Sequence, residues 1–207
     1  MRHGIVGGWL ILMFAVPLMA GRADSAENRL DSYGLGESNT LRVATDTAGG
    51  RLWALGLDEV RVYDTITKKL IRQIALPNWS VNGAVCGPGL ALDRSGSAFI
   101  SSNVQPTLLR IDADSFALKV HEISLEGKEQ WEIGFGAIAF NADGALYAIT
   151  SSANSLWKID VARASASMID RYYPPPKTCA LGAQLALYLN RIEGNRQPWT
   201  TPSPQQN

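Results

Sequence analysis

Short apolar segments separated by polar turns recur three times along the chain. The clearest copy, residues 136–160, alternates apolar strands with an Asn-Ala-Asp-Gly turn and a polar loop, and it ends in Asp160. Looser copies end at Asp64 and Asp112, so the closing aspartates are 48 residues apart. Repetition at a fixed period of about 20 to 50 residues is typical of solenoids, propellers and other repeat arrays.

Each repeat is predicted to hold four antiparallel strands. The first two strands are joined by a turn containing Gly and Asp or Asn, and the third strand alternates apolar and polar residues, so that one face is buried and the other solvated. The predicted strands are 41–45, 52–55, 60–64 and 69–76, then 89–92, 98–101, 108–112 and 118–125, then 137–140, 146–150, 156–160 and 166–172. Four short strands per repeat make one blade of a β-propeller. The fold class expected is therefore mainly β, with three propeller-type blades in an incomplete ring.

Two residue types recur at fixed strand positions. An aromatic residue occupies the same register of each second strand, at Trp53, Phe99 and Tyr147. Such repetition favours core packing between blades over a ligand-binding set. The three closing aspartates are expected to accept backbone N–H bonds in the turn that follows them, which is a structural role.

The sequence divides into the repeats and the segments that precede and follow them. We expect a signal peptide over 1–23, a lead-in over 24–40, propeller-type repeats over 41–176 (41–88, 89–136 and 137–176) and a disordered tail over 196–207. Residues 177–195 predict a short C-terminal helix, with part of a fourth blade as the alternative. An open arc of blades would leave apolar residues such as Trp157 in need of cover, from this helix or from a second chain in a homodimer.

The N-terminus indicates export. A positive start at Arg2 and His3 precedes an apolar run over residues 5–19 that is too short for a membrane span. Small residues favour cleavage after Ala23, with Ala20 and Ala26 as alternatives, and the mature chain is expected to be periplasmic or secreted, without a stable membrane span. It is nearly neutral and has no basic run, which disfavours nucleic-acid binding. An oxidising compartment would allow a disulfide between Cys86 and Cys179, and two separate thiols are the alternative.

Residues suited to catalysis are scarce. After signal cleavage His121 is the only histidine, it lies in a predicted outer strand, and the chain has no G-x-S-x-G motif. Zinc and copper sites recruit several His or Cys side chains, which this chain does not offer. We therefore expect no catalytic residue, no metal ligand and no cofactor. Ca²⁺ or another divalent metal is chemically conceivable because acids and Asn are frequent in the loops, but no spacing selects a site.

A binding face is a better candidate for the functional site than a catalytic or metal centre. The loops between second and third strands and those between blades should emerge on one side, and two of the latter carry a tryptophan. The candidate ligand- or partner-binding residues are Trp79, Asn82, Asn103, Glu129, Trp131, Glu132 and Asn154. Aromatic residues with adaptable polar neighbours are typical of contact surfaces. In the alternative interpretation, Trp79 and Trp131 fold back as caps over the blades.

The phrases VYDTITKKLIRQIALP and GAIAFNADGALYAITSSANSLWKID resemble blades of YVTN/NHL-type β-propeller repeat proteins. This broad group includes streptogramin-lyase-like and SMP-30/gluconolactonase-like propellers, and the resemblance covers about residues 41–172. It implies a blade fold, usually in rings of six or seven. Lactonase-like members hold a metal through carboxylate and Asn ligands, which have no assignable counterparts here. Lyase-like members use a catalytic histidine, for which only His121 is available.

Two classes of function remain. The first is an exported, non-catalytic module that binds a protein or small ligand through its inter-blade loops. The alternative is a lactonase- or lyase-like hydrolase whose site is completed by a second chain, or a shortened inactive relative of a full propeller.

Overall fold

The computed structural model describes residues 33, 40–83, 86–126, 134–150 and 155–171. All regular structure within these ranges is β-strand. The strands are β1 (Arg42–Asp46), β2 (Arg51–Leu55), β3 (Glu59–Asp64), β4 (Leu70–Ala75), β5 (Leu90–Leu92), β6 (Ala98–Ser101), β7 (Thr107–Ile111), β8 (Leu118–Glu122), β9 (Ser124–Glu126), β10 (Phe135–Phe140), β11 (Leu146–Thr150), β12 (Ser155–Asp160) and β13 (Ser165–Arg171). We find no helical segment in the described ranges whose length and apolar character would let it span a bilayer. The predicted C-terminal helix lies outside them.

The strands form three sheets in chain order. The sheets run β1-β2-β3-β4, β5-β6-β7-β8 and β10-β11-β12-β13-β9, and neighbours within each are antiparallel except β13 and β9. A series of four-stranded meanders, each packed on the next, is the arrangement of propeller blades. We call these sheets blades one, two and three. The prediction of a mainly β chain with propeller-type blades is confirmed.

Among the described residues, two layers of the core lie between blades. In the first layer, residues from β2 and β3 pack against residues from β6 and β7: Trp53, Leu55, Val60 and Val62 against Ala98, Ile100, Leu109 and Ile111. The second layer joins blade two to blade three through Phe99, Leu108, Leu146, Ala148, Trp157 and Ile159. Successive side chains of a strand point to opposite faces, so the middle blade contributes one set of residues to each layer.

The repeated aromatic residues behave as the register predicts. Trp53 and Phe99 are buried and each packs toward the next blade, which confirms their core role. Tyr147 occupies the same position on the far face of blade three and is half-buried. Trp157 was expected to need cover on that far face, and this was wrong. It belongs to the second core layer, so it faces blade two instead, and it is 1% exposed.

The closing aspartates organise the turns between third and fourth strands. Asp64 Oδ1 accepts the N–H groups of Ile66 (2.9 Å) and Thr67 (2.6 Å). Asp112 does the same for the two equivalent N–H groups of its own turn, and Asp160 accepts one. The bond from the Thr67 N–H is the main reason that the pKa of Asp64 lies below its usual value. The predicted structural role of these carboxylates is confirmed.

Four residues after each aspartate, the backbone enters the left-handed region. The φ angles there are 62° at Lys68, 57° at Phe116 and 50° at Ala164. This conformation lets the Lys68 N–H donate to the Asp64 carbonyl and the Phe116 N–H donate to the Asp112 carbonyl, each at 3.0 Å. A side chain in this region usually costs about 1–2 kcal/mol, so each blade carries a strained position at its outer turn.

Blade three gains its fifth strand from the end of blade two. The sequence predicts one outer strand over 118–125, but β8 ends at Glu122 because Ile123 turns into the second core layer, 4% exposed. The Ile123 N–H donates to the Pro106 carbonyl at 2.7 Å, and the Ser124 N–H donates to the Ala164 carbonyl at 2.9 Å. The chain then continues as β9, parallel to β13. These contacts tie blades two and three together at their outer edges.

The strained turns generate a stability prediction. Replacing Ala164 with glycine should raise the free energy of unfolding by about 0.5–1 kcal/mol, because glycine adopts positive φ without the Cβ clash. The measurement is urea denaturation followed by circular dichroism. Ala166→Gly is the matched control: Ala166 is buried in β13, so the same change should destabilise by about 1 kcal/mol. Equal destabilisation by both variants would contradict the account of the turn.

Candidate binding face

Two loops of the predicted binding face meet above the junction of blades one and two. These are the loop that leaves blade one after β4 and the loop between β6 and β7. Trp79, in the first loop, is 8% exposed and packs in the first core layer, and its Nε1 donates to the Ser101 carbonyl at 3.3 Å. Trp79 therefore acts as a cap over the junction, the alternative that the sequence left open. Part of its ring also lines a cleft described below.

Asn103 locks the two loops together. Its side chain is completely buried, and its amide donates to the carbonyls of Asn82 (2.9 Å) and Cys86 (3.1 Å). Its Oδ1 accepts the Asn82 N–H at 3.1 Å. The sequence grouped Asn82 with Asn103, and the structure brings them together. Asn103 holds the loop in shape, whereas Asn82 itself is exposed.

A second polar cluster, without any signal in the sequence, fixes the inner ends of blades two and three. The buried Ser101 hydroxyl accepts the Gly89 N–H and donates to the Gly136 carbonyl, both at 2.7 Å. A Cβ added at Gly89 would lie 2.5 Å from the Ile138 nitrogen, so glycine is required for this close approach. The cluster could not be predicted because Ser and Gly are ordinary loop residues until the blades pack.

An open cleft lies beside these loops, on the outer side of the junction between blades one and two. Its volume is about 710 Å³. Its apolar lining residues are Pro77, Trp79, Pro106, Leu109, Val120 and Ile123, and its polar lining residues are Asn78, Gln105, Thr107, Glu122 and Ser124. Among the predicted binding residues that the structure describes, Trp79 alone lines it. The cleft is formed by the loop after β4, the loop before β7 and the outer strands of blade two, which is a property of tertiary packing and not of any motif.

The lining of the cleft combines apolar residues with a few polar ones. Val120 is half-exposed within it, and Glu122 is the one charged residue among the described lining residues. An apolar lining with a few polar groups is the usual composition of a ligand site. Within the described residues no three His, Cys, Asp or Glu side chains are grouped so that they could hold a metal ion.

The structure describes only some of the remaining predicted site residues. Glu129, Trp131, Glu132 and Asn154 lie outside the described residues. Cys86 is disulfide-bonded and half-buried at the start of blade two, where a Cβ on Gly136 would lie 3.2 Å from the Cys86 Cβ. Its predicted partner, Cys179, also lies outside the described ranges.

His121 sits in β8 and faces away from the cleft. It pairs with Leu108 of β7, whose side chain belongs to the second core layer. The His121 Nε2 is buried and has no hydrogen-bond partner among the described residues. Burial lowers the pKa of His121, and the positive charges of Lys119 and Arg110 lower it further. Both effects favour the neutral form of the ring.

The chain is a β-propeller-type repeat protein by its own sheet order and inter-blade packing. No family model matches the sequence, and no curated protein matches it. Among solved structures, virginiamycin B lyase from Staphylococcus aureus has 16% identity and a TM-score of 0.49 over 66% of this chain and 42% of its own. A streptogramin B lyase has 14% identity and a TM-score of 0.46, over 68% and 42% of the two chains. The dihydro-heme d1 dehydrogenase NirN in complex with DHE has 14% identity and a TM-score of 0.45, over 58% and 25%. The chain thus spans about two-fifths of the two lyases.

The buried imidazole predicts a pH-dependent stability. Because the pKa of His121 is lower in the folded than in the unfolded chain, the unfolded chain takes up the proton first as pH falls below about 6.5. The free energy of unfolding should therefore decrease from pH 7.5 to pH 5.5. Urea denaturation across this range should show a smaller decrease for His121→Gln than for the wild type. A Lys119→Gln variant should show an intermediate slope, and identical slopes for all three proteins would contradict the prediction.

Proposed function

We propose that the protein is an exported, non-catalytic propeller-type module that binds a protein or small ligand through the cleft and loops between blades one and two. The observation that carries this proposal is the cleft itself, in which apolar residues lie beside adaptable polar side chains. Its lining residues Asn78 and Gln105 are exposed, and such residues can form hydrogen bonds to partners of varied shape.

The rigidity of the surroundings supports a binding role. The indole N–H anchors Trp79, which lines the cleft, and the hydrogen bonds of Asn103 hold the two neighbouring loops together, so these surroundings are shaped before a ligand arrives. Preorganisation of this kind reduces the conformational entropy lost on binding. A binding role of this sort requires no cofactor.

Export is part of the same proposal. The signal pattern over residues 1–23 and the disulfide-bonded state of Cys86 both suit an oxidising compartment. We place the mature protein in the periplasm or outside the cell.

The end faces of the arc favour a protein that works as a single chain. On blade one, Leu52, Ala54 and Tyr63 are buried within the chain, and Tyr33 from the lead-in packs on Tyr63 with ring centroids 5.6 Å apart. On blade three, Ile149 and Leu156 are likewise buried. Faces that already bury their apolar centres do not need a second copy to cover them.

The native mass of the mature chain tests this point. Light scattering should give the mass of one chain at micromolar concentration. A stable dimer would overturn the single-chain proposal. It would instead support ring completion between two copies, with any hydrolase-like site placed between them.

Site-specific photo-crosslinking tests the binding face. We expect p-benzoylphenylalanine in place of Gln105, which lines the cleft, to form an adduct of defined mass when expressed in the native host, read by intact mass spectrometry. The matched control carries the same group in place of Asp114, an exposed residue at the opposite end of β7. Both positions are exposed, so each change should alter stability by no more than about 0.5 kcal/mol. Equal labelling at both positions, or none at position 105, would refute the binding face.

A further inference from the structure

Among the described strands, the outer strand of blade two is paired on one side only. The sheet order β5-β6-β7-β8 places β8 at the edge, and among the described strands it pairs only with β7. The backbone groups of Leu118–Glu122 that point away from β7 form an edge to which another extended chain can bond.

Blade three shows that this kind of edge accepts a strand in this fold. Its outer strand, β13, is the counterpart of β8, and it carries β9 along its free side. The pairing is parallel, with Ser165 opposite Ser124 and Ser167 opposite Glu126. The chain thus already uses strand addition at one outer edge, and β8 holds the equivalent place in blade two.

The free edge of β8 borders the cleft. Val120 and Glu122 lie on the same face of the strand, opposite Leu109 and Thr107 of β7, and all four line the cleft. A strand added to β8 would present every second side chain on this face. One of these side chains would lie beside the half-exposed Val120. The side chain two residues further along the added strand would lie beside the Glu122 carboxylate.

The other face of β8 has the opposite charge preference. Lys119 and His121 lie there, with Arg110 opposite Lys119 on β7. A basic residue of an added strand is therefore favoured on the cleft face, next to Glu122, and opposed on the other face. This difference would fix which side chains enter the cleft, because a shift by one residue exchanges the two faces.

We propose that the cleft binds an extended segment of a partner protein as an additional strand on β8, with a basic side chain beside Glu122 and an apolar one beside Val120. This inference rests on the proposed binding function and names its partner. Main-chain hydrogen bonds to the edge supply affinity, and the two cleft contacts supply sequence preference.

The test uses the mature protein and the capped peptide Thr-Leu-Thr-Arg-Thr-Leu-Thr. Its basic residue has an apolar residue two positions away on either side, so it fits a parallel or an antiparallel addition. Titration by calorimetry should give saturable binding. Glu122→Gln should weaken it about fivefold, since an exposed ion pair contributes up to about 1 kcal/mol. Asp114→Asn, which removes a carboxylate at the far end of the blade, should leave the affinity unchanged.

Altered peptides separate the parts of the inference. In an added strand, alternate backbone N–H groups face β8, so two peptides are compared, each methylated at one of the two alternate sets of nitrogens. One of the two should lose binding, because its methyl groups remove the donors that face β8; an unchanged affinity of both peptides would overturn strand addition. Replacement of the central Arg by Glu should weaken binding more than the Glu122→Gln variant does; an unchanged affinity would overturn the charge assignment. If none of the peptides binds while crosslinking at position 105 still succeeds, this inference fails and the proposed binding face stands.

Discussion

The packing of blade against blade is the constraint on which the rest of the structure depends. A four-stranded sheet that carries apolar side chains on both faces is not stable alone in water. Each face must be covered by a neighbouring sheet or segment. In blade two this requirement directs Ile100 toward blade one and Phe99 toward blade three. The loops, the capping Trp79 and the outer cleft are all placed by the relative position of the two sheets that Trp53 and its neighbours hold together.

Local pattern was sufficient to predict most of the strands and turns. The second strands of blades two and three coincide with their predicted ranges, 98–101 and 146–150, because alternation and flanking turns are both local properties. The positive φ of Gly50, Gly96 and Gly144 was likewise predictable, since the turns demand it. The turns after Asp64, Asp112 and Asp160 were also predictable from the local sequence.

Properties that depend on distant residues were not predictable to the same extent. The sequence cannot show that Ile123 ends β8 early, because its reason is burial between blades. Asn103 looks like an exposed loop residue until the folded chain surrounds it, and the orientation of Trp157 depends on which face of β12 meets blade two. The cleft is assembled from the loop after β4 and from blade two, and of its described lining residues only Trp79 had been singled out beforehand.

The pairing of β9 with blade three has a consequence for how the blades unfold. In a linear array each blade is held by its own stability and by the interface with its neighbours. Blades two and three share a core layer and also a strand, whereas blade one meets blade two without an exchanged strand among the described elements. Blades two and three should therefore open as one cooperative unit, and blade one as another. Backbone amides of β2 and β3 would then exchange with solvent at a lower free energy of opening than those of β11 and β12.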